Sequence, residues 1–249
     1  MNAIEALRIL DFDDDEPVAE FRMTGQPRTD RREIPRYTVA EVSLYLHIKE
    51  STLRSWIFGR PYPANGTIVQ SGPLMEPADP GHGRLSFYNL VEAHILRTTR
   101  QQDEVPMPAI REALRYANAR NAGPHPLITQ QFETEGSSLF VSKLGELVNY
   151  TKQGQQAFAD LMQEHLQRID RDTLGPYALY PIIPNKPKSK VVTIKPGVSS
   201  GVPTVAGTGI SISILFARYH AGDSIDDLID DYGLSREQVE DSIEYIRAA

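Results

Sequence analysis

Cysteine is missing from all 249 residues. Its absence excludes disulfide bridges, thiolate catalysis and cysteine-ligated metal sites. Long apolar runs are missing too: nothing approaches the roughly 18 residues that a membrane-spanning helix needs. The opening MNAIEALRILDFDDDEP turns acidic where a secretory leader requires a cationic flank and an apolar core, so a soluble, cytoplasmic chain is expected. A general excess of cations is also lacking. The net charge is −7, which argues against nucleic-acid binding by the surface as a whole.

The catalytic constellations are equally absent. The stretch PGVSSGVPTVAGTGISIS, residues 196–213, is glycine-rich, but no Lys, Arg or His lies between Val198 and Phe216. A phosphate loop needs Lys-Ser/Thr after its last glycine, and a dinucleotide fingerprint needs a third glycine that Gly207-Thr208-Gly209 does not reach. These glycines and prolines are expected to set turns. No nucleophile–base order and no metal-ligand spacing emerges, and His82 and His94 read as a loop residue and a packed residue. The expectation is a chain with no catalytic residues, no metal and no cofactor. The run DFDDDE reads as a solvated arm rather than a cation site.

What is present is unevenly charged. Between Arg28 and Arg60 seven Lys/Arg face four Asp/Glu, whereas between Ser211 and Ala249 three Arg face nine Asp/Glu. Opposed ends of this kind suit different partners.

Residues 37–59, YTVAEVSLYLHIKESTLRSWIFG, place Val39, Val42, Leu46, Ile48, Leu53 and Trp56 at helical spacing with a break near His47–Lys49. Thr38 and Glu41 form a capping-box pattern, and Ser51 is expected to cap the second helix. Two short helices around a tight turn are a helix-turn-helix pattern, whose second helix enters a major groove. A Pro/Gly-rich stretch, 60–84, follows with a short β run, Thr67-Ile68-Val69. LSFYNLVEAHILRTTRQQ reads as an amphipathic helix with Phe87, Leu90, Val91, His94, Ile95 and Thr98 on one face, and MPAIREALRYANAR reads as a further, proline-led helix.

Residues 36 to about 120 resemble a MerR-type winged helix-turn-helix, through YTVAEVSLYL, STLRSW and RLSFYNLVEAHIL. That resemblance implies Thr52, Arg54 and Ser55 on the groove helix, with Ser51 at its start, and Arg84 in the returning wing. The wing is longer than the family pattern, and the cysteines of its metal-responsive members are missing, which excludes their mode of sensing.

Past Gly123, FETEGSSLFV reads as a hairpin, Leu161, Met162, His165, Leu166 and Ile169 as a helical stripe, and YALYPII as an edge strand. PNKPKSK, residues 184–190, reads as an extended linker. Three capped helices are then expected: Ile212 to Ala221 closed by Gly222, a second from Ser224 to Gly233, and a third from a Ser235/Gln238 box. From about Val191 to Ala249 the order of elements resembles the domain of unknown function 433, a helix-turn-helix-like module found in antitoxins. The loop lacks the arginines common in that family, and the acidic last helix would be repelled by phosphate.

The expected fold is mainly α with small β elements. It divides into an acidic arm (1–34), a winged helix-turn-helix (35–122), an α+β connector that supplies the dimer contact (123–183), a linker (184–190) and a C-terminal three-helix, helix-turn-helix-like module (191–249). The whole resembles a VapB-type antitoxin. The resemblance implies a homodimer that binds operator DNA and a ribonuclease toxin of the PIN or related class. Lys49, Arg54 and Arg60 are expected to contact phosphate or bases alongside Ser51, Thr52, Ser55 and Arg84. The acidic Glu237, Glu240, Asp241 and Glu244 suit a basic toxin surface. The alternative is a stand-alone MerR-like transcription regulator whose middle segment binds a small effector.

Overall fold

The computed structural model describes residues 30–64, 66–100, 105–119 and 123–248; most of the acidic arm lies outside them. Thr38 and Glu41 form the expected capping box, and helix α1 runs Val39–Leu46. His47 then adopts φ 50°, which turns the chain sharply. Helix α2 spans Glu50–Phe58. Ser51 does not cap it. The carbonyl of Lys49 already accepts from the amides of Thr52 (2.9 Å) and Leu53 (3.1 Å), so the helix begins earlier and Ser51 lies in its first turn.

Strands β1 (Pro61–Ala64) and β2 (Thr67–Gln70) form an antiparallel hairpin directly after α2. The chain returns through a turn bridged between Asp79 and Arg84, and Leu85 pairs with Tyr37, which closes the wing onto the start of α1. Helix α3 (Phe87–Arg97) is not amphipathic as expected: every residue from Phe87 to Leu96 is buried. Its polar positions are absorbed by specific partners rather than by water. Asn89 completes a cap with Ser86 and donates to Glu76 O at 2.7 Å, and Glu92 accepts from the His125 ring at 2.9 Å.

Helix α4 is Met107–Asn118, with Pro108 in its first turn. The expected hairpin at FETEG is a wide helical turn, Phe132–Gly136, that runs straight into helix α5, Ser137–Leu147. Phe132, Gly136, Ser137, Phe140, Val141 and Leu144 are all buried at three- and four-residue spacing, so one helical stripe wins over a weak alternation. Gly136 allows this, because a Cβ there would stand 2.8 Å from the Phe132 ring. Helix α6 spans Lys152–Leu166 from a Thr151 cap, and Ile169 starts strand β3 (Ile169–Asp172), which pairs antiparallel with β4 (Gly175–Leu179).

Residues 184–190 are not an extended linker. They fold into turns with a bridge between Ile183 and Lys186. The buried Arg168 guanidinium donates to the carbonyls of Tyr180 (3.2 Å), Pro181 (3.3 Å), Ser189 (3.0 Å) and Pro187, which supplies partners for backbone that prolines cannot pair. Strands β5 (Val192–Thr193) and β6 (Thr204–Val205) form a third small antiparallel sheet. Helices α7 (Ile212–Ala221), α8 (Ile225–Tyr232) and α9 (Arg236–Arg247) follow, with Gly222 and Gly233 at left-handed C-caps and capping boxes Ser224/Asp227 and Ser235/Gln238.

The fold is therefore mainly helical with small antiparallel sheets and a helix-turn-helix at its N-terminal end. Two apolar clusters hold it. The larger gathers Trp56, Phe87, Phe132, Phe140 and Phe158, and the smaller packs Leu215, Leu228, Val239 and Ile243. They trade residues across the turns at 184–190: Ile183 belongs to the smaller cluster and Ile194 to the larger.

Candidate nucleic-acid interface

The register of α2 follows from what it buries. Leu53, Trp56 and Ile57 face inward, so Ser51, Arg54 and Phe58 face out, with Thr52 and Ser55 at the margins. Trp56, within α2, is a fully buried anchor whose carbonyl accepts from Leu74 N at 2.6 Å. It holds the returning chain against α2.

The bridged turn Asp79–Arg84 completes the face. Asp79 accepts from the His82 ring at 2.8 Å and its amide at 3.2 Å, and Gly83 at φ 63° lies against Phe58, with only 3.1 Å between a Cβ there and Phe58 Cζ. The His82 hydrogen bond also lowers the Asp79 pKa. Arg84, at the end of that turn, donates to Arg36 O at 3.4 Å. Ser51, Thr52, Arg54, Ser55 and Arg60 thus line one hollow of about 540 Å³. Arg54 and Arg84 line its neighbour of about 350 Å³, and Phe58 belongs to both. Lys49 is exposed at the N-cap of α2 and lines neither.

The acids near this face are occupied. Glu50 pairs with Arg54 at 2.8 Å, and Glu41 is held by the Thr38 cap. An exposed pair such as Arg54–Glu50 is worth about 0–1 kcal/mol, so Arg54 can exchange its carboxylate for phosphate. Sequence reasoning missed Phe58 and His82 on this face. The signal was Gly81-His82-Gly83, a turn able to carry a side chain back toward α2.

The acidic set at the other end divides. Glu237 and Glu240 are exposed, Glu240 lying 3.5 Å from Arg236. Asp241 is buried and paired with Lys186, and Glu244 accepts from Asn185. Two of the four carboxylates therefore hold the turns at 184–190 in place.

The glycine-rich stretch forms a seam between the two ends of the chain. Tyr37 donates its hydroxyl to Gly201 O at 3.0 Å. Gly201 has φ 76°, and a Cβ there would come within 2.4 Å of that hydroxyl. His47 extends the seam: its ring donates to Tyr245 O at 2.9 Å and packs edge-on against the Tyr245 ring, while the Tyr245 hydroxyl donates to Tyr45 O. Burial raises the pKa of Tyr37 and Tyr245. Behind the seam His94 donates to His165 O at 3.1 Å, and His165 to Leu161 O at 3.0 Å. Burial, with Arg97 and Arg168 nearby, holds both rings below the ordinary histidine range, His165 at about 4.

Among the described residues no group of three His, Asp or Glu is placed to hold a metal, and no helix is long and apolar enough to cross a membrane.

Comparison with known proteins matches both ends. A family described as "Putative DNA-binding HTH domain" matches residues 35–114, and one described as "Protein of unknown function (DUF433)" matches residues 192–246. The chain is 30% identical over 246 residues to the Mycobacterium tuberculosis protein named "Putative antitoxin VapB45", covering 91% of this chain and 100% of that one. It is 24% identical over 218 residues to "Uncharacterized protein Rv2308" of the same organism, covering 85% and 90%. The crystal structure of Rv2018 from Mycobacterium tuberculosis superposes with a TM-score of 0.59 at 23% identity, over 85% of this chain and 98% of that one. That last likeness is one of fold.

Proposed function

The chain belongs to the family that includes the protein named "Putative antitoxin VapB45", and from that premise we propose that it is the antitoxin of a type II toxin–antitoxin pair. It neutralises a ribonuclease toxin of the PIN or related class by direct contact, in the cytoplasm, and represses its own operon through α2. It carries out no catalysis. One observation supports the DNA-binding face above all: Arg54, Arg60 and Arg84 surround two adjoining hollows on either side of Arg54, although Arg84 is 30 residues from Arg54 in sequence. Arginines so placed can read guanine edges and phosphates together. A wing closed by the Tyr37–Leu85 bridge supports a MerR-like arrangement. One short helix reads few base pairs, so a two-fold dimer is needed to give an adequate site. Exposed Leu147 on α5 supports the middle segment as the dimer contact.

The test is anisotropy of a labelled duplex carrying the chain's own promoter, read between 50 and 200 mM salt. Specific binding that falls with salt is expected, and Arg54→Ala or Arg84→Ala should each weaken it about tenfold, the scale of one good base contact. Unchanged affinity in both variants would remove this face from the interface.

A polar cavity of about 540 Å³, lined by Tyr88, His125, Thr129, Glu133 and Arg171, favours the second reading, an effector-responsive regulator. A ligand-dependent change in promoter affinity, in a chain with no toxin gene beside it, would establish that reading instead.

A further inference from the structure

A hollow of about 300 Å³ opens on the seam between the helix-turn-helix and the C-terminal module, and no charged side chain lines it. Leu44 and Tyr45 of α1 form one wall, and Ile212, Ser213 and Phe216 of α7 contribute to the other, with Tyr245 of α9 between. Leu44 is apolar yet 53% exposed at the rim, Ser213 is exposed, and Phe216 is only half-buried. An apolar cavity of about 150 Å³ holds a benzene ring, so this one has room for about two large apolar side chains.

Charge identifies the occupant. The C-terminal module that builds one wall has nine Asp/Glu against three Arg from Ser211 onward. Those arginines have partners of their own: Arg218 with Asp223 and Asp231, Arg236 with Asp226 and Glu240, Arg247 with the Tyr219 hydroxyl. The field around α7–α9 is therefore negative. A second copy docking through its C-terminal module would bring the same negative charge, and this chain's own residues 1–29 would bring DFDDDE. A partner with cations around an apolar plug is complementary on both counts.

We infer that this hollow is the site where a basic protein partner seats an apolar side chain, with the acids of α8 and α9 steering its approach. The inference rests on the antitoxin reading, in which the partner handles RNA phosphates and is basic for that reason. It places the toxin's anchor on the seam rather than on the acidic face of α9.

The test uses the purified full-length chain and the purified product of the reading frame beside its gene, titrated by calorimetry at low and high salt. Leu44→Glu puts a charge at the rim, and Ser213→Trp fills the hollow from an exposed position. Tyr116→Glu changes an exposed tyrosine on α4, away from the hollow, and serves as the control. The first two should weaken binding at least tenfold and the control less than twofold, with melting temperature and promoter affinity as in the unmodified chain. A photo-crosslinker at position 213 should attach to a basic segment of the partner. Wild-type affinity in Leu44→Glu and Ser213→Trp would overturn the site and leave the antitoxin reading standing. Absence of binding by the unmodified chain would overturn both. A dimer of the chain alone that Leu44→Glu dissolves, or a crosslink to its own residues 1–29, would also overturn it by assigning the hollow to another occupant.

Discussion

Three histidines show how much a single proton matters in this core. His47, His94 and His165 each give one ring N–H to a backbone carbonyl, and the other nitrogen of each is buried without a hydrogen-bond partner. For His94 and His165 protonation would add a donor with nothing to accept it, beside Arg97 and Arg168, and burial next to Arg97 disfavours the charged His47 ring as well. All three pKa values lie below the ordinary value near 6.5 in the fold and return to it on unfolding. The unfolded chain therefore binds more protons below that value, so stability is complete above about pH 6.5 and falls as pH drops. For His165, held at about 4, the loss across that window is on the order of 3 kcal/mol. Urea midpoints measured at pH 7.5 and pH 5 should show the decline, and equal midpoints would contradict the buried neutral rings. Sequence reasoning placed His94 in the core correctly, but the neighbouring arginines come from residues as far apart as 97 and 168.

At the scale of elements, caps were the most legible feature. Thr38/Glu41 and Ser235/Gln238 act at the helix starts where their spacing placed them, because a capping box is a contact within four residues. Ser224 caps where expected, with Asp227 completing its box. Ser51, the second residue of its helix, is the exception. Ser235→Ala should cost about 1 kcal/mol of stability, seen as a lower melting temperature with little loss of helical signal. Elements decided by distant contacts read less well. FETEG is helical because Phe132 and Phe140 share a buried stripe, and α3 is buried all round because chain on every side covers it. Gly201 belongs to the same class. Gly201→Ala should destabilise by more than 1 kcal/mol, since it strains φ and strikes the Tyr37 hydroxyl. Tyr37→Phe in the same chain should recover part of that loss. Additive losses in a double-mutant cycle would contradict the close approach.

For the whole molecule, the seam predicts joint unfolding of the two ends. Tyr245 is buried in the smaller cluster yet bonds to His47 and Tyr45, and Ile183 and Ile194 cross between clusters. The single tryptophan, Trp56, sits in the helix-turn-helix core and reports on that end alone, whereas far-ultraviolet circular dichroism reports on every helix. The two probes should give coincident urea transitions. His47→Ala removes a bond across the seam and should separate them. Coincident curves in that variant would mean that other contacts join the ends.

By itself the sequence determined the mainly helical class, the helix-turn-helix near residue 37, the three capped helices after Ile212 and the opposed charge of the two ends. Each depends on periodicity, a cap or composition, which act over a few residues or need no geometry at all. Only the tertiary structure decided that Arg84 comes to stand beside Arg54, that Asp241 and Lys186 hold the turns at 184–190, and that the glycine-rich stretch seats Tyr37. Those depend on which surfaces meet, and that is set by burying two apolar clusters at once, a condition no local window of the chain contains.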